Sequence, residues 1–361
     1  MGHETKNHID LNVLKGALIF IVILDHNEYV RNHFEYIFRP LNYHVLGFLF
    51  LPFLANSTRT DWPFYRDRLI RYLIPFAAFY TAASAINLLI LSGGPDGSSI
   101  VETYLLGGIT GSAANVKASS GFYAFWFLPA LCGTILVLSL YRALPKGIRP
   151  LVFAIFIGLH LFVGLLPNEI SRMIPLGLPI VAYLFVLGSM ARFLIDQLPP
   201  RHFGLARWAS LGLFVLSYAI CVSLNSHTEV GTLSVGSILD PEFLLHDLLG
   251  LSGFFTFYLF SGILAKVPLV EQLGRLSLIV YLAHPLLIKA LDMALLSRLS
   301  VGEAGSLLHI AVAVGSVAFT VATSFVVALV IQKSNWLHDL ITPRDWASWL
   351  PVQWTQPATG R

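Results

Sequence analysis

Three titratable side chains fall within four positions, at Asp25, His26 and Glu28. They follow a stretch, Leu11–Leu24, that is apolar except for Asn12 and Lys15. Imidazole titrates near 6.5 when unperturbed, which suits a general base at neutral pH. A carboxylate beside it can hold one tautomer and stabilise the charged ring. Asp25 is the adjacent candidate, although neighbouring positions on a helix point about 100° apart. Lys15 precedes His26 by eleven residues. That is about three turns, so the two share a helix face with roughly 16 Å of rise between them. The plainer explanation of the cluster is an outer helix end facing lipid headgroups. Its density, and the depth of His26 inside the span, favour function, because charges at membrane depth are costly.

A second group is Arg66, Arg68 and Arg71 in FYRDRLIRYLIP. Arg68 and Arg71 are one helical turn apart. Basic residues at a cytoplasmic helix end anchor topology. The planar guanidinium fork also binds phosphate, so the cluster suits a polyphosphate ligand. Further candidates are His44, opening the second apolar stretch, and Trp126, inside Phe125-Trp126-Phe127-Leu128. Aromatics at the mouth of an outer cavity stack on sugars, and an interfacial belt explains Trp126 equally well. Tyr281-Leu282-Ala283-His284-Pro285 lies in mid-span, where His284 must face protein or water rather than lipid.

These residues must be carried by membrane helices. Of 361 residues 56% are hydrophobic and only 12% charged, with mean hydropathy +0.72; a soluble domain carries about 25% charged residues. The sequence therefore describes an all-α, polytopic integral membrane helix bundle. Spans of about 20 apolar residues fall at 10–31, 40–57, 72–92, 122–141, 149–167, 174–192, 207–225, 244–265, 276–297 and 306–332, ten in all. In the ninth, Lys289 and Asp292 are spaced to pair on one face. With the N-terminus in the cytoplasm, inside segments hold sixteen Lys and Arg and outside segments five, so the positive-inside rule places both termini in the cytoplasm. The polar N-terminus, with no small-residue cleavage site after the first apolar run, predicts an uncleaved first span. Two long outer connections, 93–121 and 225–242, separate spans.

The expected organisation is a membrane domain over 1–335 and a Trp-rich interfacial tail over 336–361. Cys132 and Cys221 sit in apolar runs and read as small buried residues. Neither a metal site nor a nucleic-acid surface is expected; the net charge of +3 follows from topology.

At these residues the chain resembles the acyltransferase family 3 membrane proteins. That family includes bacterial O-acetyltransferases of lipopolysaccharide and exopolysaccharide, and fucose O-acetylase-like enzymes. Its first helix carries a basic residue, then Gly, then a His eleven residues after the base. Here these are Lys15, Gly16 and His26, with Lys where Arg is usual. The run Arg68-Leu69-Ile70-Arg71-Tyr72-Leu73-Ile74-Pro75 matches a family element after the second span. Tyr43-His44-Val45-Leu46-Gly47-Phe48 keeps the His of another element but lacks its Pro and its Ser-Gly. Trp126-Phe127-Leu128-Pro129 looks like the fucose O-acetylase-like branch, and Tyr281–Pro285 matches a further element. The resemblance covers about 1–335.

It implies a multi-pass enzyme of the bacterial inner membrane that takes acetyl-CoA, or another acyl-CoA, as donor on the cytoplasmic side. The acceptor would be a hydroxyl of an extracytoplasmic or lipid-linked sugar. Lys15, Arg66, Arg68 and Arg71 would hold the donor. His26, with Asp25, would act as general base or as acyl carrier, and the residues leave both routes open. Glu28, His44, Trp126, Tyr281 and His284 would support the site or the acceptor. If Lys15 and His26 serve one donor, a continuous passage lined by both should run from the arginines to His26. Other readings are a transporter or exporter, a non-catalytic subunit of a polysaccharide export complex, and succinyl transfer to a periplasmic glucan. The absence of a visible inverted repeat and the one-sided arginines weigh against transport.

Overall fold

The computed structural model describes residues 10–27, 29–30, 44–54, 62–87, 97–122, 124–162, 178–224, 241–294 and 306–341. Among these there is no strand. The helices are α1 (Leu11–His26), α2 (His44–Leu54), α3 (Trp62–Ile86), α4 (Gly97–Thr110), α5 (Ala113–Ser120), α6 (Phe127–Ala143) and α7 (Arg149–Phe162). They continue as α8 (Leu178–Gln197), α9 (Phe203–Ser223), α10 (Pro241–Leu264), α11 (Pro268–Arg275), α12 (Ser277–Ala294), α13 (Leu307–Lys333) and α14 (Asn335–Ile341).

Among the described residues, six helical segments are long and apolar enough to cross a membrane: Pro63–Ile86, Ala124–Ala143, Pro200–Ser223, Leu244–Leu264, Ser277–Ala294 and Leu307–Lys333. The protein is thus an all-α, multi-pass membrane protein. Helices α1, α2, α7 and α8 occupy the other four expected spans; in their described extent they fall outside that set, so ten remains an expectation from sequence.

Helix α3 begins about ten residues before the expected span, at Trp62. Pro63 sits at its second position, where the missing N–H is no loss because the first turn has no acceptor for it. The arginine run therefore lies on the first turns of this helix and not ahead of it. The connection over 93–121, expected from the sequence on the outer side, contains α4 and α5. They dock on α3 through the Tyr80 hydroxyl, which donates to the Tyr104 carbonyl at 2.6 Å and lies 2.6 Å from Ser119 Oγ.

Helix α1 is the axis of the bundle. Leu14, Leu18, Ile19 and Ile23 are fully buried, and α2, α10, α11, α12 and α13 all pack on it. Its N-cap is Asp10, whose carboxylate accepts from the Asn12 amide at 2.7 Å, the usual way to satisfy an orphan donor in the first turn. Its closest neighbour is α11, eight residues in the connection between the expected spans 244–265 and 276–297. The two backbones touch through glycine. A Cβ on Gly16 would collide with the Val270 carbonyl, and one on Gly274 with the Asn12 carbonyl. Gly16 is therefore fixed by packing, and it sets where α11 lies beside Lys15. Lys289 and Asp292 pair as expected, 3.6 Å apart. Cys132 and Cys221 are buried and free.

Candidate active site

A cavity of about 470 Å³ opens among α1, α2, α3, α6, α11 and α12. That is within the range of small-molecule sites, roughly 300–1,000 Å³. Its polar part is lined by Lys15 from α1, Arg68 and Arg71 from α3, and Arg275 from α11. Among the described residues, no carboxylate lines it. Four cations facing one half-open space repel one another, and a multivalent anion relieves that repulsion. Arg68 is held in place by its guanidinium, 4.2 Å over the Phe64 ring. The remaining wall is mostly apolar, with Phe48, Leu51 and Pro52 from α2 and Phe127, Leu128, Leu131 and Ile135 from α6, and it also carries Asn12, Tyr72 and Ser277.

The sequence reading assigns three arginines of α3 to this site. Arg66 does not line the cavity. Its Nε and Nη2 donate to Asp67 Oδ1 at 3.1 and 3.0 Å. Arg275 takes part instead. Its Nη2 also donates to Glu271 at 2.6 Å; in the sequence it is one of the sixteen Lys and Arg of the expected inside segments. The missed signal was the glycine pair: Gly16 next to Lys15 and Gly274 next to Arg275 bring both cations to one place.

The apolar end of the cavity is Tyr281 of α12, whose ring lies 5.0 Å from that of Phe127. His284, one turn along α12, is 5.7 Å from Tyr281 between ring centroids and 5.1 Å from His26, edge to face. Tyr281, His284 and His26 thus form a file from the cavity inward, with His284 in the middle. His26 does not line the cavity. The structure does not show the expected passage lined by both residues: among the described residues Lys15 lines the cavity and His26 does not, and Tyr281 is connected to His26 through the His284 ring.

His26 is the last residue of α1. Its Nδ1 is 2.9 Å from the Val22 carbonyl and 4.0 Å from Asp25 Oδ2. A carbonyl can only accept, so Nδ1 carries the proton and Nε2 keeps its lone pair for chemistry. The backbone, rather than Asp25, sets the tautomer. His284 repeats the arrangement, with Nδ1 3.2 Å from the Val280 carbonyl. Asn27, fully buried, fixes the turn after His26: its Oδ1 accepts from the amides of Tyr29 and Val30 at 3.1 and 3.2 Å, and its Nδ2 donates to Ser316 of α13 at 2.8 Å. Beyond it the Tyr29 hydroxyl donates to Asp292 at 2.9 Å.

The remaining candidates are placed as follows. Trp126 is buried, 6.4 Å from the Phe127 ring; it is a core residue and not an exposed stacking platform. His44 is the first residue of α2. Glu28 lies outside the described residues. Among the described residues, no three His, Cys, Asp or Glu side chains gather to hold a metal ion.

Fold and site together define a polytopic helical membrane protein with a cation-lined cavity beside two neighbouring imidazoles, one buried and one partly exposed. The sequence model of acyltransferase family 3, an acyltransferase domain, matches residues 8–329. The chain belongs to that family, and it is a membrane acyltransferase. No curated protein and no solved structure matches it.

Proposed function

We propose that the protein transfers an acyl group, acetyl foremost, from cytoplasmic acyl-CoA to a hydroxyl of an extracytoplasmic or lipid-linked sugar. The observation that carries this reading is the cavity's polarity: four cations at one part and an apolar sleeve running to Tyr281. CoA has the matching shape, with a pyrophosphate and a 3′-phosphate at one end and a slender pantetheine arm ending in the thioester. Arg68, Arg71, Arg275 and Lys15 take the phosphates as charge-assisted partners. The arm lies along Phe48, Leu51 and Leu131, and the thioester comes to Tyr281.

His26, with its Nε2 lone pair available, removes the acceptor's hydroxyl proton or carries the acyl group. The cytoplasmic donor side follows from the sixteen-to-five distribution of Lys and Arg, and a bacterial inner membrane is the setting that fits. Exopolysaccharide or lipopolysaccharide is the acceptor class we favour, on the fucose O-acetylase-like form of Trp126-Phe127-Leu128-Pro129.

The test is transfer of label from radiolabelled acetyl-CoA to surface glycan in membranes carrying the protein. Label on glycan, lost in His26→Gln, supports the reading. Glycan unlabelled by both acetyl- and succinyl-CoA, with the protein present and folded, overturns it.

A further inference from the structure

Two buried polar atoms on adjacent turns of α12 have no hydrogen-bond partner: the Tyr281 hydroxyl and His284 Nε2. Tyr281 is 6% exposed and His284 0%. Leaving such groups unsatisfied is costly, and each such group calls for an explanation. Tyr281 lines the cavity, and its ring lies 5.7 Å from that of His284, which does not line it. Both atoms lack something, and both are at the place where a ligand's arm would end. Their chemistry is complementary to one group. A phenol O–H donates to a carbonyl oxygen, and an imidazole Nε2 with its Nδ1–H held by the Val280 carbonyl offers a lone pair to a carbonyl carbon.

From this we infer that Tyr281 and His284 form the acyl subsite: Tyr281 hydrogen-bonds the thioester carbonyl, and His284, not His26, carries the acyl group. This rests on the acyl-CoA reading above. The Tyr281 ring covers His284, so the arriving thioester displaces it, and its hydroxyl gains the carbonyl as the partner it lacks. His284 Nε2 attacks the carbonyl carbon and the C–S bond breaks. CoA leaves as the thiolate and takes a proton from water. The acyl-imidazolium keeps its Nδ1 proton on the Val280 carbonyl.

The second half belongs to His26, 5.1 Å from His284 between ring centroids. Its side chain is 26% exposed, so the two imidazoles divide into an enclosed donor side and an open acceptor side. His26 Nε2 takes the proton of the acceptor hydroxyl, the oxygen attacks the acyl carbon, and the C–N bond breaks to restore neutral His284. The His26 proton then returns to solvent, balancing the one the thiolate took. Two histidines in series account for how a donor from one face and an acceptor from the other react without ever sharing one cavity.

A covalent carrier on the donor side has one distinctive consequence. It exchanges free CoA into acyl-CoA with no acceptor present. The experiment uses the purified full-length protein in lipid nanodiscs, with unlabelled acetyl-CoA and tritiated CoA. Wild type is expected to exchange label, His284→Gln to lose exchange, and His26→Gln to keep exchange while losing transfer to glycan. Tyr281→Phe keeps the ring and its packing. It is expected to slow exchange about 10²–10³-fold, the usual loss for one oxyanion donor, and it decides the matter if His284→Gln does not fold. Exchange that survives in His284→Gln, that requires His26, or that runs at the wild-type rate in Tyr281→Phe overturns the assignment. Glycan labelling without any exchange overturns it too while leaving the acyltransferase reading intact. Loss of both labelling and exchange in wild type with acetyl- and succinyl-CoA overturns the two together.

Discussion

The Val22 carbonyl, 2.9 Å from His26 Nδ1, changes what Asp25 is expected to do. If the backbone fixes the tautomer, Asp25→Asn leaves Nε2 as the lone-pair nitrogen and lowers kcat less than about tenfold. His26→Gln removes the proton acceptor itself and costs at least the 10²–10⁴-fold typical of a general base. Steady-state transfer assays on the two variants check this, and equal losses would return the tautomer to Asp25. The α3 arginines separate in the same way. Arg68→Ala and Arg71→Ala each remove a charged partner of a phosphate, worth about 1.5–3 kcal/mol, so CoA affinity falls roughly ten- to a hundredfold. Arg66, bound to Asp67, serves as the internal control, and Arg66→Ala keeps the affinity of wild type. Calorimetric titration of CoA on the three variants reads the difference. Lys15→Arg should preserve activity, and Lys15→Met should raise KM for the donor more than it lowers kcat, the sign of lost uniform binding.

At the scale of helices, α1 and α11 act as one unit. Their backbones meet at Gly16 and Gly274 without room for a methyl group. Gly274→Ala therefore has to push α11 away from α1, at the cost of about 1–3 kcal/mol usual for overpacking. Because α11 carries Arg275 to the cavity, the expected outcome is a lower Tm together with a higher KM for acyl-CoA. A lower Tm with donor KM unchanged would show that α11 does not shape the cavity. At the other end of α1, Asn27 joins the helix end to α13 through Ser316. Asn27→Leu leaves two amides without their acceptor, a penalty of about 1–3 kcal/mol for a buried group. It also loosens the segment that aims His26. The measurement is the denaturation midpoint compared with Ser316→Ala, which removes one of these bonds and is expected to cost less.

At the scale of the whole molecule, orientation is the open property with the clearest test. Lys117 on α5 and Lys146 between α6 and α7 are both exposed, and the positive-inside count puts them on opposite faces. Lys117→Cys should react with an impermeant maleimide from outside, and Lys146→Cys only after the membrane is opened. The native cysteines are buried and give little background. The reverse pattern would invert the direction of acyl transfer.

The helical membrane class was legible in the sequence, because long apolar runs admit no other backbone arrangement in lipid when every N–H and C=O must be satisfied internally. Lys15, Arg68, Arg71, His26 and the Tyr281–Pro285 element also stood out in the sequence as candidates, since cations and imidazoles inside apolar helices are rare against that composition. What composition and spacing could not give is how separate helices meet. The grouping of Lys15 with Arg275 depends on two glycines 258 positions apart allowing one backbone contact. The pairing of Arg66 with its neighbour, the burial of Trp126 and the absence of His26 from the cavity lining are likewise facts of the folded structure. Helical periodicity fixes which residues share a face, but it carries no record of which other helix covers that face. The order Tyr281, His284, His26 was therefore decided only when α12 packed against α1.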